Sequence, residues 1–127
     1  MRLLLDTHVV LWALEDDRLL SDEMVSILRL TPRPRFIVSV ASLWEIAIKS
    51  GIGKLDADVN ELVARMEEAG FRELPVTATH AAAVRNLPDI HRDPFDRMLV
   101  AQAITEPLRL LTDDDTVGRY SDLVMTL

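Results

Sequence analysis

Mostly apolar runs alternate with longer amphipathic stretches along this chain. Short apolar runs bounded by polar residues are typical of buried strands, and they predict strands at residues 2–5, 35–38, 71–76, 108–111 and 123–126. The stretches between them carry apolar side chains at helical spacing. They predict helices at residues 8–14, between Ser21 and Pro32, from Ser39 or Ser42 to Gly51, and at 58–70, 79–87 and 93–105.

Several predicted helices begin at residues whose side chains accept hydrogen bonds from free backbone amides. The candidate N-caps are Ser21, Ser39 or Ser42, Asp58 and Asp93. Glu61 follows Asp58 at the three-residue spacing of a capping box, and Pro94 follows Asp93 at the position where proline is favoured. These signals place the helix starts independently of the hydrophobic pattern.

The alternation of strands and helices predicts the α/β class, with a mostly parallel central sheet and helices on both faces. The 127 residues suit one domain spanning 1–127, and the chain contains no internal repeat, linker or low-complexity segment. Ligands of such sheets bind beyond the carboxyl ends of the strands. The residues that follow each predicted strand are therefore the first candidates for function.

Composition narrows the possible chemistry. A hydrophobic content of 49% excludes a disordered chain, and the absence of cysteine excludes a thiol nucleophile and a cysteine-ligated metal. No apolar run approaches the roughly 20 residues of a membrane span, so a cytoplasmic protein is expected. The net charge of −7 argues against a passive nucleic-acid binder, because phosphate affinity normally comes from lysine and arginine.

Acidic residues occur where predicted strands end and within one apolar helix. Asp6 follows the first strand and the run 113–115 follows the fourth, so the sheet is expected to bring both to one edge. Glu45 is the only charged residue in the apolar stretch 36–48, and Asp96 falls in the first turn of a predicted helix.

Each of these acids also has a local structural explanation. Glu45 precedes Lys49 by four residues, the spacing of a helical ion pair, while Asp93 suits a cap and Asp96 suits the positive end of the helix dipole. Converging carboxylates would nevertheless repel one another without a cation. A carboxylate cluster without cysteine or paired histidines suits Mg²⁺ or Mn²⁺.

Four segments together resemble the acidic motifs of PIN-domain ribonucleases, and most of all the VapC-type toxins of bacterial type II toxin–antitoxin pairs. They are LLLDT at residues 3–7, SVASLWEIAIK at 39–49, HRDPFDRMLVAQA at 91–103 and LLTDD at 110–114. The resemblance covers essentially the whole chain, in order. It implies a PIN-like α/β domain that binds Mg²⁺ or Mn²⁺, cuts RNA, forms a homodimer and is held inactive by a cognate antitoxin.

Carried over by position, the resemblance implies that Asp6, Glu45 and Asp96 are catalytic metal ligands. Asp114 matches the fourth acid through Thr-x-Asp, although Asp113 and Asp115 leave its identity open. Asp93 is either the helix cap alone or the holder of a metal-bound water. Thr7 and Thr112 are candidates to support the ligating carboxylates.

Four basic residues lie near these motifs and could steer RNA phosphate towards the acidic pocket: Lys49, Lys54, Arg92 and Arg97. The segment 51–54 contains two glycines but lacks phosphate-loop spacing and is interpreted as a helix end.

The histidines and tryptophans receive structural interpretations. His8, His80 and His91 have no spacing that indicates a shared metal, and they are expected at the surface. Trp12 and Trp44 are expected in the core or at a subunit contact, and not as platforms for base stacking. A groove for a partner helix formed by Leu11, Trp12 and Leu14 is a further hypothesis.

The leading hypothesis is an endoribonuclease in which a metal-activated water attacks the scissile phosphate and leaves 5′-phosphate and 3′-hydroxyl ends. One alternative is a receiver-like signalling domain, which normally needs paired acids after its first strand and an acceptor aspartate after a central one. A second alternative is a non-catalytic interaction subunit whose acids are caps and surface charges. The sequence does not identify the RNA or the number of metal ions.

Overall fold

The computed structural model describes residues 2–127, which contain five strands and seven α-helices in an α/β arrangement. Its strands are β1 (Leu3–Leu5), β2 (Phe36–Ser39), β3 (Arg72–Leu74), β4 (Arg109–Thr112) and β5 (Val124–Thr126). Its helices are α1 (Thr7–Glu15), α2 (Asp22–Leu30), α3 (Val40–Gly51), α4 (Val59–Ala69), α5 (Ala78–Val84), α6 (Pro94–Thr105) and α7 (Asp115–Gly118). Two short 3-10 turns, Asp17–Leu19 and Arg33–Arg35, complete the regular structure.

All five strands are parallel and follow the order β3-β2-β1-β4-β5. The chain adds β2 and β3 on one side of β1 and then returns to place β4 on the other side. The crevice between the ends of β1 and β4 is therefore the topological switch point, where α/β sheets bind ligands. The order also differs from the 2-1-3-4-5 order of flavodoxin-like receivers, which removes the signalling alternative.

The sheet separates two hydrophobic cores because successive side chains of a strand point to opposite faces. Leu3 and Leu5 belong to the core covered by α1, α2 and α4, whereas Leu4 lies in the core covered by α6. Leu3 is 7% exposed, and Leu4 and Leu5 are fully buried. The predicted helices on both faces are thus confirmed, and β1 is buried from both sides.

The helix starts follow the predicted caps. Ser21, Asp58 and Asp93 each accept hydrogen bonds from the first-turn amides of their helices, and Ser39 caps α3 in place of the alternative Ser42. The capping box at Asp58 is only half formed, because the Glu61 carboxylate accepts from Arg65 at 2.7 Å. The helix predicted at 79–87 ends at Val84.

The surface assignment of the histidines is confirmed for His8 and wrong for His80. His80 is only 1% exposed: its Nδ1 accepts from the Thr77 amide and its Nε2 lies 2.6 Å from Glu106 Oε2. A reciprocal cap at the start of α5 thus buries this ring. Of the two predicted places for Trp44, core or subunit contact, its 62% exposure excludes the core and leaves the subunit contact as a prediction. Trp12 packs against the first core.

Within residues 2–127, no helix has the length and apolar character that crossing a membrane requires.

Candidate metal centre

Four segments that are distant in the sequence bring carboxylates to the switch point of the sheet. Asp6 directly follows β1 and Asp114 lies two residues beyond β4, while Glu45 projects from α3 and Asp96 from the first turn of α6. With Asp93 and Asp113, they line a cavity of about 100 Å³. The structure therefore brings together all four predicted acids in a space suited to a small ion and a few waters.

Asp6 is held by hydrogen bonds to both carboxylate oxygens. Its Oδ1 accepts from the Thr7 amide at 2.6 Å, and its Oδ2 accepts from the Thr112 hydroxyl at 2.6 Å. Asp6 is 5% exposed, and this burial raises its pKa, while the two hydrogen bonds act in the opposite direction. Each carboxylate oxygen has a second lone pair, so Asp6 can still accept a cation.

Glu45 is fixed in the same manner from the opposite side of the crevice. The Thr7 hydroxyl donates to Glu45 Oε1 at 2.7 Å, and the Lys49 ammonium donates to Oε2 at 2.6 Å. Because Thr7 uses its only proton on Glu45, its 3.0 Å contact with the Ser42 hydroxyl makes Ser42 the donor. Ser42 is a supporting residue that the sequence analysis missed.

Asp96 carries the greatest electrostatic cost in the site. Burial, followed by the charges of Asp6, Asp93, Glu45 and Asp114, raises its pKa to about 7. Asp93 accepts from the amides of Phe95 and Asp96 through Oδ1, so it caps α6, and it also lines the cavity. A carboxylate that ionises only near neutral pH marks a site short of positive charge.

The structure favours Asp114 over its two neighbours as the fourth acid. Asp114 Oδ1 caps α7 through the Thr116 amide at 2.8 Å, and its Oδ2 points towards the other acids. Thr112 connects this residue to Asp6, because its hydroxyl donates to Asp6 and accepts from the Asp114 amide at 3.1 Å. Asp113 lines the cavity from an exposed position, and Asp115 does not line it.

His91 lies beside the acids, which its spacing in the sequence did not indicate. Its Nε2 is 3.4 Å from Asp96 Oδ2 and 3.9 Å from Asp114 Oδ2, so these atoms resemble a three-ligand metal site. However, His91 Nδ1 accepts from the Asp93 amide at 3.0 Å, which places the proton of a neutral ring on Nε2. In this orientation His91 offers the acids a hydrogen-bond donor and no metal-binding lone pair.

The candidate RNA-contacting residues lie in different surroundings. Lys49 lines the acidic cavity, whereas Arg92 is exposed, precedes the cavity-lining Asp93 in the sequence and lines a separate apolar groove. Arg97 instead donates to the carbonyls of Val84 and Pro88 and to the Tyr120 hydroxyl. These bonds fix the segment between α5 and α6, so the structure does not favour Arg97 as an RNA contact.

An apolar groove of about 580 Å³ lies between α3, α5 and α6. Trp44 stands in it edge-on to Phe95, with ring centroids 5.3 Å apart. Leu11 is buried, while Trp12 and Leu14 are partly exposed and pack against the first core, so the groove for a partner helix at these residues stays a prediction.

The fold and the site together define an α/β domain with an acidic centre at the switch point of its sheet. A family model described as the PIN domain matches residues 3–123. The chain belongs to the PIN domain family.

Several solved structures share this fold. The chain is 22% identical to one in the crystal structure of FitAcB from Neisseria gonorrhoeae, with a TM-score of 0.70 and coverage of 98% of this chain and 96% of that chain. The chain is 16% identical to one in DNA-bound VapBC from Salmonella typhimurium, with a TM-score of 0.69 and coverage of 100% of this chain and 97% of that chain. The chain is 14% identical to one in VapBC2 from Rickettsia felis bound to a promoter DNA fragment, with a TM-score of 0.68 and coverage of 100% of this chain and 98% of that chain. A comparison with curated proteins gave no match.

The donor set fits a hard divalent cation. The side chains that line the cavity offer six carboxylates, and carboxylate oxygen is the donor that Mg²⁺ and Mn²⁺ prefer. Hydroxyl and amide donors fix Asp6, Glu45 and Asp114, which limits rearrangement on binding.

Asp96→Asn is expected to stabilise the metal-free protein. The folded-state pKa of Asp96, about 7, exceeds the unfolded value of 3.8, so the contribution of Asp96 to wild-type stability rises as the pH falls from 7 towards 4. An asparagine does not titrate. In EDTA at pH 8 the variant should gain about 2 kcal/mol in free energy of unfolding, and the gain should vanish near pH 4.

Chemical denaturation across this pH range measures the effect. Asp58→Asn is the matched control, since it removes one carboxylate from the exposed cap of α4 and asparagine also caps helices. A loss of stability in Asp96→Asn at pH 8, or a gain that is the same at pH 4, would contradict the electrostatic account.

Thr112→Val is expected to destabilise the chain. The substitution leaves Asp6 Oδ2 without its hydroxyl donor and the Asp114 amide without its acceptor, which should lower the free energy of unfolding by about 2 kcal/mol. Thr112→Ser should retain most of the stability, and Thr79→Val, at an exposed position, is the control. Equal stability of Thr112→Val and wild type would show that the hydroxyl has no such role.

Proposed function

We propose that this protein is a metal-dependent endoribonuclease that acts as the toxin of a toxin–antitoxin pair. The observation that carries the proposal is the convergence of Asp6, Glu45, Asp96 and Asp114 at the switch point of a PIN-family sheet. Caps or solubility charges need not meet in one cavity. Their convergence supports a catalytic centre over a non-catalytic interaction subunit.

Asp6, Glu45, Asp96 and Asp114 would hold Mg²⁺ or Mn²⁺, which supplies an activated water and neutralises charge on the phosphodiester. Thr7 and Thr112 orient two of these carboxylates, Glu45 and Asp6, by donating hydrogen bonds to them. Hydrolysis by water breaks the bond from phosphorus to the 3′-oxygen. The products are 5′-phosphate and 3′-hydroxyl ends.

RNA is the proposed substrate despite the net charge of −7. Lys49 places positive charge at the acidic cavity, and Arg92 precedes the cavity-lining Asp93 in the sequence. A bound divalent ion adds to it, so attraction for phosphate is local to the site. The proposed setting is the cytoplasm.

A cognate antitoxin and a second copy of the chain are the proposed protein partners. The similar solved structures include a toxin–antitoxin complex from Klebsiella pneumoniae, with a chain 18% identical to this one, a TM-score of 0.67 and coverage of 97% and 95%. Protein contacts need apolar surface, and the groove that contains Trp44 and Val76 supplies it.

RNA cleavage by the purified, antitoxin-free chain tests the proposal. With Mn²⁺ and a mixed pool of structured RNAs, wild type should generate 5′-phosphate ends. Asp6→Asn should reduce the rate at least about 100-fold, since loss of a charged ligand removes about 3 kcal/mol or more of transition-state stabilisation. Sequencing of the new ends and gel-based rates provide the measurement.

Asp58→Asn is again the control and should cleave as wild type does. Activity in EDTA, 2′,3′-cyclic phosphate ends, or full activity of Asp6→Asn would each contradict the proposed function.

A further inference from the structure

Lys49 is a cation inside the acidic cavity. It stands in the last turn of α3, and its ammonium lies 2.6 Å from Glu45 Oε2. The same side chain lines the cavity together with Asp6, Asp93 and Asp96. A lysine ammonium is charged at neutral pH, so a fixed positive charge stands among the carboxylates that would bind a metal ion.

We propose that the Lys49 ammonium takes the place of a second metal ion, so that the site holds a single divalent cation. The inference rests on the proposed function, because it concerns the ion that the four acids bind. It assigns Lys49 a fixed place in the centre, beyond the steering of RNA from the surface.

The geometry around Glu45 supports a single ion. Thr7 and Lys49 each donate to one oxygen of Glu45, which leaves a lone pair on each oxygen for one ion and places the ammonium on the side where a second ion would share Oε2. The two ions of a two-metal site lie about 3.5–4 Å apart and share carboxylates. A second ion beside Glu45 would meet the ammonium at a similar distance, and the like charges would repel.

The dimensions of the cavity lead to the same conclusion. About 100 Å³ is available beside Lys49, whereas Mg²⁺ usually keeps several of its waters when it binds. One hydrated ion fits this space more readily than two.

The ammonium can also serve the chemistry that a second ion would serve. A lysine has three N–H donors, of which one reaches Glu45. The Lys49 side chain is 39% exposed, so a phosphate oxygen at the site can reach the remaining donors. The positive charge is built into the chain and does not depend on metal concentration.

An ordinary helical ion pair is the competing explanation, since Glu45 and Lys49 are four residues apart. The exposure of the carboxylate distinguishes an ordinary surface ion pair from the role proposed for Lys49. The Glu45 side chain is only 5% exposed. In the comparable pair of Glu61 with Arg65, the Glu61 side chain is 60% exposed. A buried carboxylate needs a counter-charge, and Lys49 provides it at the metal-binding edge of the sheet.

The number of Mn²⁺ ions bound per chain tests the inference. Calorimetric and electron paramagnetic resonance titrations should give one ion for wild type. Lys49→Met removes the charge at similar side-chain length and should admit a second ion, detected as stoichiometry of two and as exchange coupling between the ions. Lys49→Gln keeps a donor for Glu45 without the charge and should behave in the same way, and it serves if Lys49→Met is poorly folded.

Two controls complete the experiment. Lys49→Arg retains the charge and should bind one ion, and so should Lys54→Met, which removes an exposed charge outside the acidic cavity. One ion in both Lys49→Met and Lys49→Gln, or two ions in wild type, would overturn the role of Lys49 and leave the metal centre intact. No binding by wild type would overturn the metal-dependent function itself, and the role of Lys49 with it.

Discussion

The parallel pairing of β1 with β4 is the constraint on which the site depends. Leu5 lies opposite Leu111 in this pairing, so Asp6, directly after β1, lies beside Thr112, the last residue of β4. The Thr112 hydroxyl then reaches Asp6 at 2.6 Å although the two residues are 106 positions apart. A one-residue slip of the register would turn every side chain of the strand to the other face. Two buried cores, one on each face, prevent that slip.

The structural and catalytic interpretations of the acids are compatible. Asp6, Asp93 and Asp114 cap α1, α6 and α7, and each uses Oδ1 for its cap. The other oxygen of each residue is not needed by the helix. Local stability therefore holds the carboxylates in place, and the cap selects which oxygen remains for a ligand. Asp96 has no such compensation, and its pKa of about 7 reflects this.

The sequence predicts this fold well because the strong signals are local. Each of these signals can be recognised from a few adjacent residues. They are the apolar run of β1, the caps Ser21 and Asp93, and the acids that follow β1 and β4. The errors arise from contacts between distant segments. His80 is buried through Glu106, and Arg97 is engaged by carbonyls of the preceding segment. His91 was missed because its partner Asp114 is supplied by another strand end.

In the proposed function, the negative charge of the chain restricts RNA binding to the metal-bound site. Without a cation, the acids at the switch point repel RNA as well as one another. A bound divalent ion, with the Lys49 ammonium beside it, reverses the sign of the potential only where the phosphate must sit. The rest of the acidic surface gains no affinity for the RNA backbone. Substrate attraction and catalytic competence therefore appear together, at one edge of the sheet and only when the metal is bound.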